Sequence, residues 1–259
     1  MTGGASGIGL ACAQRMAPDY DAVALLDFNA EGLAQARDAL AGQGIDCHAR
    51  QCDVTDAGAM EEIAARVEAE IGPVSAVVAS AGILNNSETV LGMDLGEHRR
   101  VWEVNYDGTV HTVRAFAGAM TERKAGSIVT LGSITGLGAF PLPAYSPGKA
   151  ALVRLTEILA VELGRFGLRV NGVAPTYVVT PNLQARIDAG ERDPDVIRKA
   201  GALEMFVRAE HIADAVAFLC SPQAAAITGA MLPVDAGWHA ATVYRSYAGG
   251  VPWEKDRQA

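Results

Sequence analysis

Thr2-Gly3-Gly4-Ala5-Ser6-Gly7-Ile8-Gly9 opens the chain and runs straight into a helical pattern, Ile8 to Ala17. Glycines at 3, 7 and 9 permit a tight turn, let backbone amides approach a ligand closely and let the helix pack on a sheet. A helix that starts this way offers unpaired N–H groups and the positive end of a dipole, which together bind phosphate. Alone, a glycine-rich helix start is a common motif. Asp27 adds a second point. It ends the next apolar run, Val23 to Asp27, where a carboxylate accepts hydrogen bonds from a ribose and repels a 2′-phosphate. Neither Ser6 nor Phe28 supplies the cation that a 2′-phosphate needs. The turn therefore reads as a dinucleotide site that takes NAD in preference to NADP, built from Gly3, Ser6, Gly7, Ile8, Gly9, Asp27 and Phe28.

Working outward, short apolar runs alternate with longer helical patterns. Val23 to Asp27, Asp46 to Cys52, Val74 to Ser80, Ser127 to Leu131, Arg169 to Val173 and Met231 to Val234 read as strands. Ala30 to Ala41, Ala57 to Ile71, Glu97 to Arg123, Tyr145 to Phe166 and Ala209 to Leu219 read as helices. That rhythm implies right-handed crossovers and a parallel sheet covered on both faces, a doubly wound, Rossmann-like α/β fold in one domain. One stretch, Thr176 to Arg208, is long, mixed in charge and broken by Pro181 and Pro194, and reads as a loop that acts as a lid.

Composition narrows the class. With 30 acidic and 21 basic side chains the net charge is −9, which argues against a nucleic-acid binder. Half of the residues are hydrophobic and 20% are charged, well outside the range of disordered chains. No apolar run is long enough to span a bilayer and the N-terminus lacks a signal-peptide pattern, so a cytoplasmic protein is expected. Cys12, Cys47, Cys52 and Cys220 show no metal spacing, and the five histidines form no H-E-x-x-H pair. Free thiols and no metal are expected.

Tyr145-Ser146-Pro147-Gly148-Lys149 opens a long helix, and the four-residue offset sets Tyr145 and Lys149 a turn apart on one face. A phenol with an ordinary pKa of ~10 is a poor base at neutral pH, but a nearby ammonium favours the phenolate. Tyr145 is the candidate proton donor and acceptor. Ser133 follows the strand Ser127 to Leu131, at the carboxyl edge where open α/β sheets bind ligands, and its hydroxyl is placed to hold a substrate oxygen. The chain has four lysines, so one at this offset from a tyrosine stands out.

Together these residues resemble the short-chain dehydrogenase/reductase family, in its single-domain subgroup. Thr2 to Gly9 is similar to that family's T-G-x-x-x-G-x-G turn, and Asp53-Val54 to its adenine-contacting pair. Ala79-Ser80-Ala81-Gly82 stands where the family has N-N-A-G, with two asparagines replaced. Asn105, Ser133, Tyr145 and Lys149 follow the order of its catalytic tetrad. Pro175 to Thr180 resembles P-G-x-V-x-T with Thr176 in place of the glycine, and Ile227-Thr228-Gly229 and Val234-Asp235-Ala236-Gly237 resemble its closing signatures.

The resemblance implies hydride transfer between an alcohol carbon and NAD. Ser133 would orient the substrate oxygen, Tyr145 would transfer the proton, Lys149 would lower the tyrosine pKa and bind the nicotinamide ribose, and Asn105 would hold a water. Asp53, Val54, Ala81, Gly82, Pro175, Val178 and Thr180 would contact cofactor. Thr135, Phe140 and Tyr177 would face substrate, along with Ser133 and Tyr145. The substrate would be a small secondary alcohol or its ketone, and the assembly a homotetramer. Two other readings remain: a 3-oxoacyl carrier-protein reductase, which Asp27 and the negative charge oppose, and a catalytically silent nucleotide-binding protein.

Both ends depart from the family. Its first, central strand precedes the glycine turn, whereas here Met1 stands directly before Thr2. A gap is expected between the strands at Val23 and Val74, with unmade hydrogen bonds costing ~1–3 kcal/mol each, and a start upstream of Met1 is the expected explanation. After residues 1–237, the dehydrogenase domain, the aromatic tail 238–259 reads as non-helical and packed at an interface or near the substrate pocket.

Overall fold

A computed structural model describes residues 1–85 and 88–255. Strands β1 (Val23–Asp27), β2 (Cys47–Gln51), β3 (Ala76–Ala79), β4 (Gly126–Leu131), β5 (Leu168–Pro175) and β8 (Met231–Val234) all run parallel. Their spatial order is β2-β1, then β3-β4-β5-β8. Side chains alternate across this sheet. Val77, Ile128 and Val170 enter one core with helices α3 (Ala57–Glu70), α5 (Gly108–Arg123) and α6 (Tyr145–Gly164). Val78, Val129 and Val173 enter the other with α1 (Gly7–Met16) and α9 (Ala209–Cys220). With both faces buried, the strands have no polar side to show, which is why they read as continuous apolar runs. Helix α2 (Ala30–Ala41) closes a third cluster over β1 with Leu33, Ala36 and Leu40. This is the single-domain doubly wound fold anticipated above.

Only Met1 and Thr2 stand between β1 and β3. Thr2 bridges Leu26 and Ala79, both in parallel. The Met1 ammonium donates to the Ala24 carbonyl (2.9 Å), Leu26 N–H to Met1 (2.8 Å) and Thr2 N–H to Val78 (3.1 Å). Toward the amino ends of the two strands a cleft of about 510 Å³ opens, lined by Val23, Ala24, Val67, Ala76, Val77 and Phe116 among others. A strand residue points its N–H and C=O to the same side. The Ala24 and Val78 carbonyls that receive Met1 and Thr2 therefore fix their own N–H groups toward the cleft as well.

Three expectations about elements are corrected. The helix expected over Glu97 to Arg123 is α4 (Leu95–Trp102), one π-turn (Glu103–Asp107) and α5, the π-turn lying where the side chain of Asn105 pairs with the backbone of Ile83 across the fold. Segment 176–208 is not a bare loop. Strands β6 (Val178–Val179) and β7 (Val207–Arg208) pair at its base, and α7 (Pro181–Asp188) and α8 (Pro194–Ala200) fill it, each with a proline in its first turn, where the missing N–H costs nothing. The tail is helical in α10 (Trp238–Arg245) and α11 (Pro252–Lys255), with Tyr244 stacked on Trp253 at 5.5 Å; its last four residues lie outside the described ones. Among the described residues no helix is long and apolar enough to cross a membrane.

Candidate active site

The glycine turn is built as its spacing demands. Gly3 has φ +65°, and a Cβ there would sit 2.9 Å from the Ala81 backbone, while one on Gly9 would sit 2.1 Å from the Gly3 carbonyl oxygen. Thr2 Oγ1 accepts the N–H groups of Ser80 (3.2 Å) and Ala81 (3.4 Å), which ties the turn to the end of β3. Ser6 stands before α1 in extended conformation without capping it, so the first amides of the helix keep no side-chain partner. Asp27 sits beside them. Its Oδ2 accepts from Ala5 N–H (3.0 Å) and its Oδ1 from Asn29 N–H (2.9 Å), so the carboxylate locks β1 to the turn, next to an exposed Phe28. These features fit a dinucleotide: a cradle that a Cβ would fill, amide donors for phosphates and a fixed carboxylate for a ribose.

Around the turn, Asp53 accepts Thr55 N–H (2.9 Å) and Oγ1 (2.8 Å). Val54 is buried and its carbonyl meets His111 Nδ1 (2.9 Å). Gly82 lies between two members of the expected tetrad: a Cβ there would be 3.0 Å from Asn105 Oδ1 and 3.9 Å from Lys149 Nζ. The Asn105 side chain makes a two-bond pair with Ile83, accepting its N–H (2.8 Å) and donating to its carbonyl (2.9 Å). Ile83, which nothing in the sequence flagged, thus fixes how the loop after β3 meets the π-turn.

Ser133 is buried after β4, and its Oγ accepts both the N–H (3.2 Å) and the Oγ1 proton (3.0 Å) of Thr135. Thr135, expected against substrate, donates its hydroxyl proton to Ser133 and also lines the cavity that holds Phe140. Tyr145 and Lys149 face the same space from the first turn of α6, with Nζ 5.3 Å from the phenol ring centre. Lys149 is 3% exposed and donates to the Leu131 carbonyl (2.6 Å). Burial pulls its ammonium down to about 8. Burial pushes the Tyr145 phenol above its ordinary range, and the opposing pull comes from its hydrogen bond with Ser133.

On the far side, Pro175 and Val178 are buried, and Thr180 Oγ1 caps α7 by accepting Leu183 N–H (3.4 Å) while its methyl group faces Gly7. The Oγ1 of Thr176 is buried without a hydrogen-bond partner among the described residues. Phe140 lines a surface cavity of about 660 Å³ with Thr135 and Leu142. Tyr177, 37% exposed, stacks on Trp238 at 5.3 Å, a partner that the sequence reading missed because it lies beyond the closing signature. Asp235, buried, accepts Gly237 N–H (2.9 Å) and His239 N–H (2.8 Å) and so fixes the start of α10.

Ser133, Tyr145 and Lys149 thus gather at the carboxyl edge of a doubly wound sheet beside the glycine turn, an arrangement that fits a nucleotide-binding oxidoreductase. Comparison with known proteins places it further. The family model described as Enoyl-(Acyl carrier protein) reductase matches residues 3–239. Galactitol 2-dehydrogenase of Rhizobium johnstonii is 36% identical over 241 residues, covering 92% of this chain and 93% of that protein. Two solved structures superpose on it. NAD+-bound xylitol dehydrogenase does so with a TM-score of 0.84 at 27% identity, covering 90% of this chain and 95% of that one. ElxO with NADP bound gives 0.88 at 28%, covering 92% and 97%. The chain belongs to the short-chain dehydrogenase/reductase family of oxidoreductases, and the relatives it resembles include dehydrogenases of CH–OH groups such as the galactitol enzyme.

Proposed function

We propose that this protein is an NAD-dependent dehydrogenase that interconverts a secondary alcohol and its ketone. The observation that carries the reading is the orientation of Ser133. Its Oγ already accepts two protons from Thr135, so its own single proton is left to point outward, at the Tyr145 oxygen or at a substrate oxygen. In alcohol oxidation Tyr145 takes the hydroxyl proton, and in ketone reduction it returns one. Lys149, whose pKa burial brings to about 8, exchanges that proton: its ammonium reprotonates the phenolate after ketone reduction, and its neutral amine takes the phenol's proton ahead of alcohol oxidation. Asn105 holds Ile83, and with it the loop at Gly82, beside Lys149. A bound NAD supplies the hydride acceptor, at nicotinamide C4.

Asp27 supports NAD over NADP, since a carboxylate held by Ala5 and Asn29 cannot swing away from a 2′-phosphate without breaking both bonds. Gly3, Gly7, Gly9, Asp53, Val54, Ala81, Val178 and Thr180 would complete the cofactor contacts. Segment 176–208 would be the substrate lid. Exposed Val161 and Ile158 on α6 support a homo-oligomer, to be read from the mass in solution.

The test is NADH formation over a panel of secondary alcohols, led by polyols because a similar protein is a galactitol 2-dehydrogenase, with NADP run in parallel. Turnover with NAD is expected. Tyr145→Phe is expected to lower kcat by roughly 10²–10⁴-fold while NADH still binds. Retained activity in that variant, or NADP as the better cofactor, refutes the reading.

A further inference from the structure

Helix α10 is joined to segment 176–208 at both of its ends. At its carboxyl end, Arg245 spends its guanidinium on three consecutive carbonyls: Nη1 donates to Lys199 (2.7 Å) and Ala200 (3.0 Å), and Nη2 to Gly201 (3.0 Å). These acceptors close α8, where the helix runs out of its own donors and where a cation also meets the negative end of the dipole. At its amino end, Trp238 stacks on Tyr177, which opens the segment. The ring of His239 comes within about 4 Å of where a Cβ on Gly138 would lie, in the loop between Ser133 and Tyr145. A third tie runs from Leu203 N–H to the Ala236 carbonyl (2.9 Å).

Such ties matter because α8 spans seven residues, Pro194–Ala200, too short to persist on its own. The base of the segment is held by β6 and β7, two residues each. What fixes the outer half is the contact with α10, and the three-carbonyl grip is specific to the planar fork of an arginine.

We infer that Arg245 is a positioning residue: it latches the carboxyl end of α8 and so holds segment 176–208 closed over the substrate side of the cleft. The inference rests on the dehydrogenase reading of that site. Without the latch, the closed arrangement is populated only part of the time, and the apparent substrate affinity falls by that fraction. The residues proposed to hold NAD and to move the proton do not touch Arg245.

The experiment compares wild type with Arg245→Ala and Arg245→Lys by trypsin cleavage and by kinetics. Trypsin sites lie within the segment at Arg186, Arg192, Arg198, Lys199 and Arg208. Cleavage there is expected to quicken about five- to tenfold in Arg245→Ala, with Arg245→Lys between the two. For the best alcohol of the panel, KM rises by a similar factor while kcat, NADH affinity and Tm stay put. Unchanged cleavage in Arg245→Ala overturns the latch, and so does a loss of Tm with kcat and KM falling together, which marks general destabilisation. Cleavage needs no substrate, so a protein that oxidises no alcohol yet shows the faster cut supports the latch and refutes the dehydrogenase reading.

Discussion

At the scale of single residues, Lys149 carries the largest electrostatic debt in the site. It is an ammonium buried to 3% exposure whose recorded hydrogen bond goes to one carbonyl. Its folded pKa of about 8 lies below the ordinary 10.5. Below pH 8 both folded and unfolded chains hold the proton, and the cost of burying the charge is paid in full. Between 8 and 10.5 the unfolded chain holds more protons, so stability rises with pH through that window, by on the order of 3 kcal/mol. The buried thiols Cys12, Cys52 and Cys220 and the Tyr145 phenol, all pushed upward, work in the opposite direction at higher pH. Urea titrations of wild type and Lys149→Met isolate the lysine: the difference in unfolding free energy should grow in favour of wild type from pH 8 to 10. A flat difference contradicts the assignment. The spacing of Tyr145 and Lys149 showed that the two share a helix face. It did not show where Nζ points, because desolvation and the carbonyl of Leu131 are supplied by a different strand.

At the scale of elements, the glycine turn was the most legible part of the chain, since each glycine answers a contact. Gly9→Ala would drive a methyl carbon to 2.1 Å from the Gly3 carbonyl oxygen. We expect a loss of about 1–3 kcal/mol in denaturant unfolding together with a loss of NADH affinity, while Gly44→Ala, in open space, leaves NADH affinity unchanged. The parallel strands were legible for a related reason: both faces are buried, so Val77-Val78 and Ile128-Val129 needed no polar alternation. The π-turn was not. Glu103 to Asp107 carries no residue that departs from helical habit, and the widening depends on Asn105 meeting Ile83 across the fold. Helix α10 was hidden by Gly249, Gly250 and Pro252 further on, which end helices but say nothing about Trp238 to Arg245. The grip of Arg245 on residues 199–201 spans too much sequence for any local pattern to reveal.

At the scale of the molecule, two strand blocks, β2-β1 and β3-β4-β5-β8, share one sheet through Met1 and Thr2. The glycine turn crosses that seam, held on one side by Asp27 and on the other through Thr2 at Ser80 and Ala81. The amides of Ala24 and Val78 face the seam, whereas Val129 sits within paired strands on both sides. Native-state hydrogen exchange should therefore be fastest along β1 and β3 at those two amides and slowest in β4. Saturating NADH should slow Ala24 and Val78 selectively, because the proposed cofactor contacts lie on both sides of the seam. Equal protection of β3 and β4 would show the sheet to be one cooperative unit.

The cleft of about 510 Å³ beside Met1 also bears on how the protein responds to compression. Whatever part of that space water leaves unfilled disappears when the chain unfolds, so unfolding reduces the volume of the system. Hydrostatic pressure therefore favours unfolding to the extent that this space is empty.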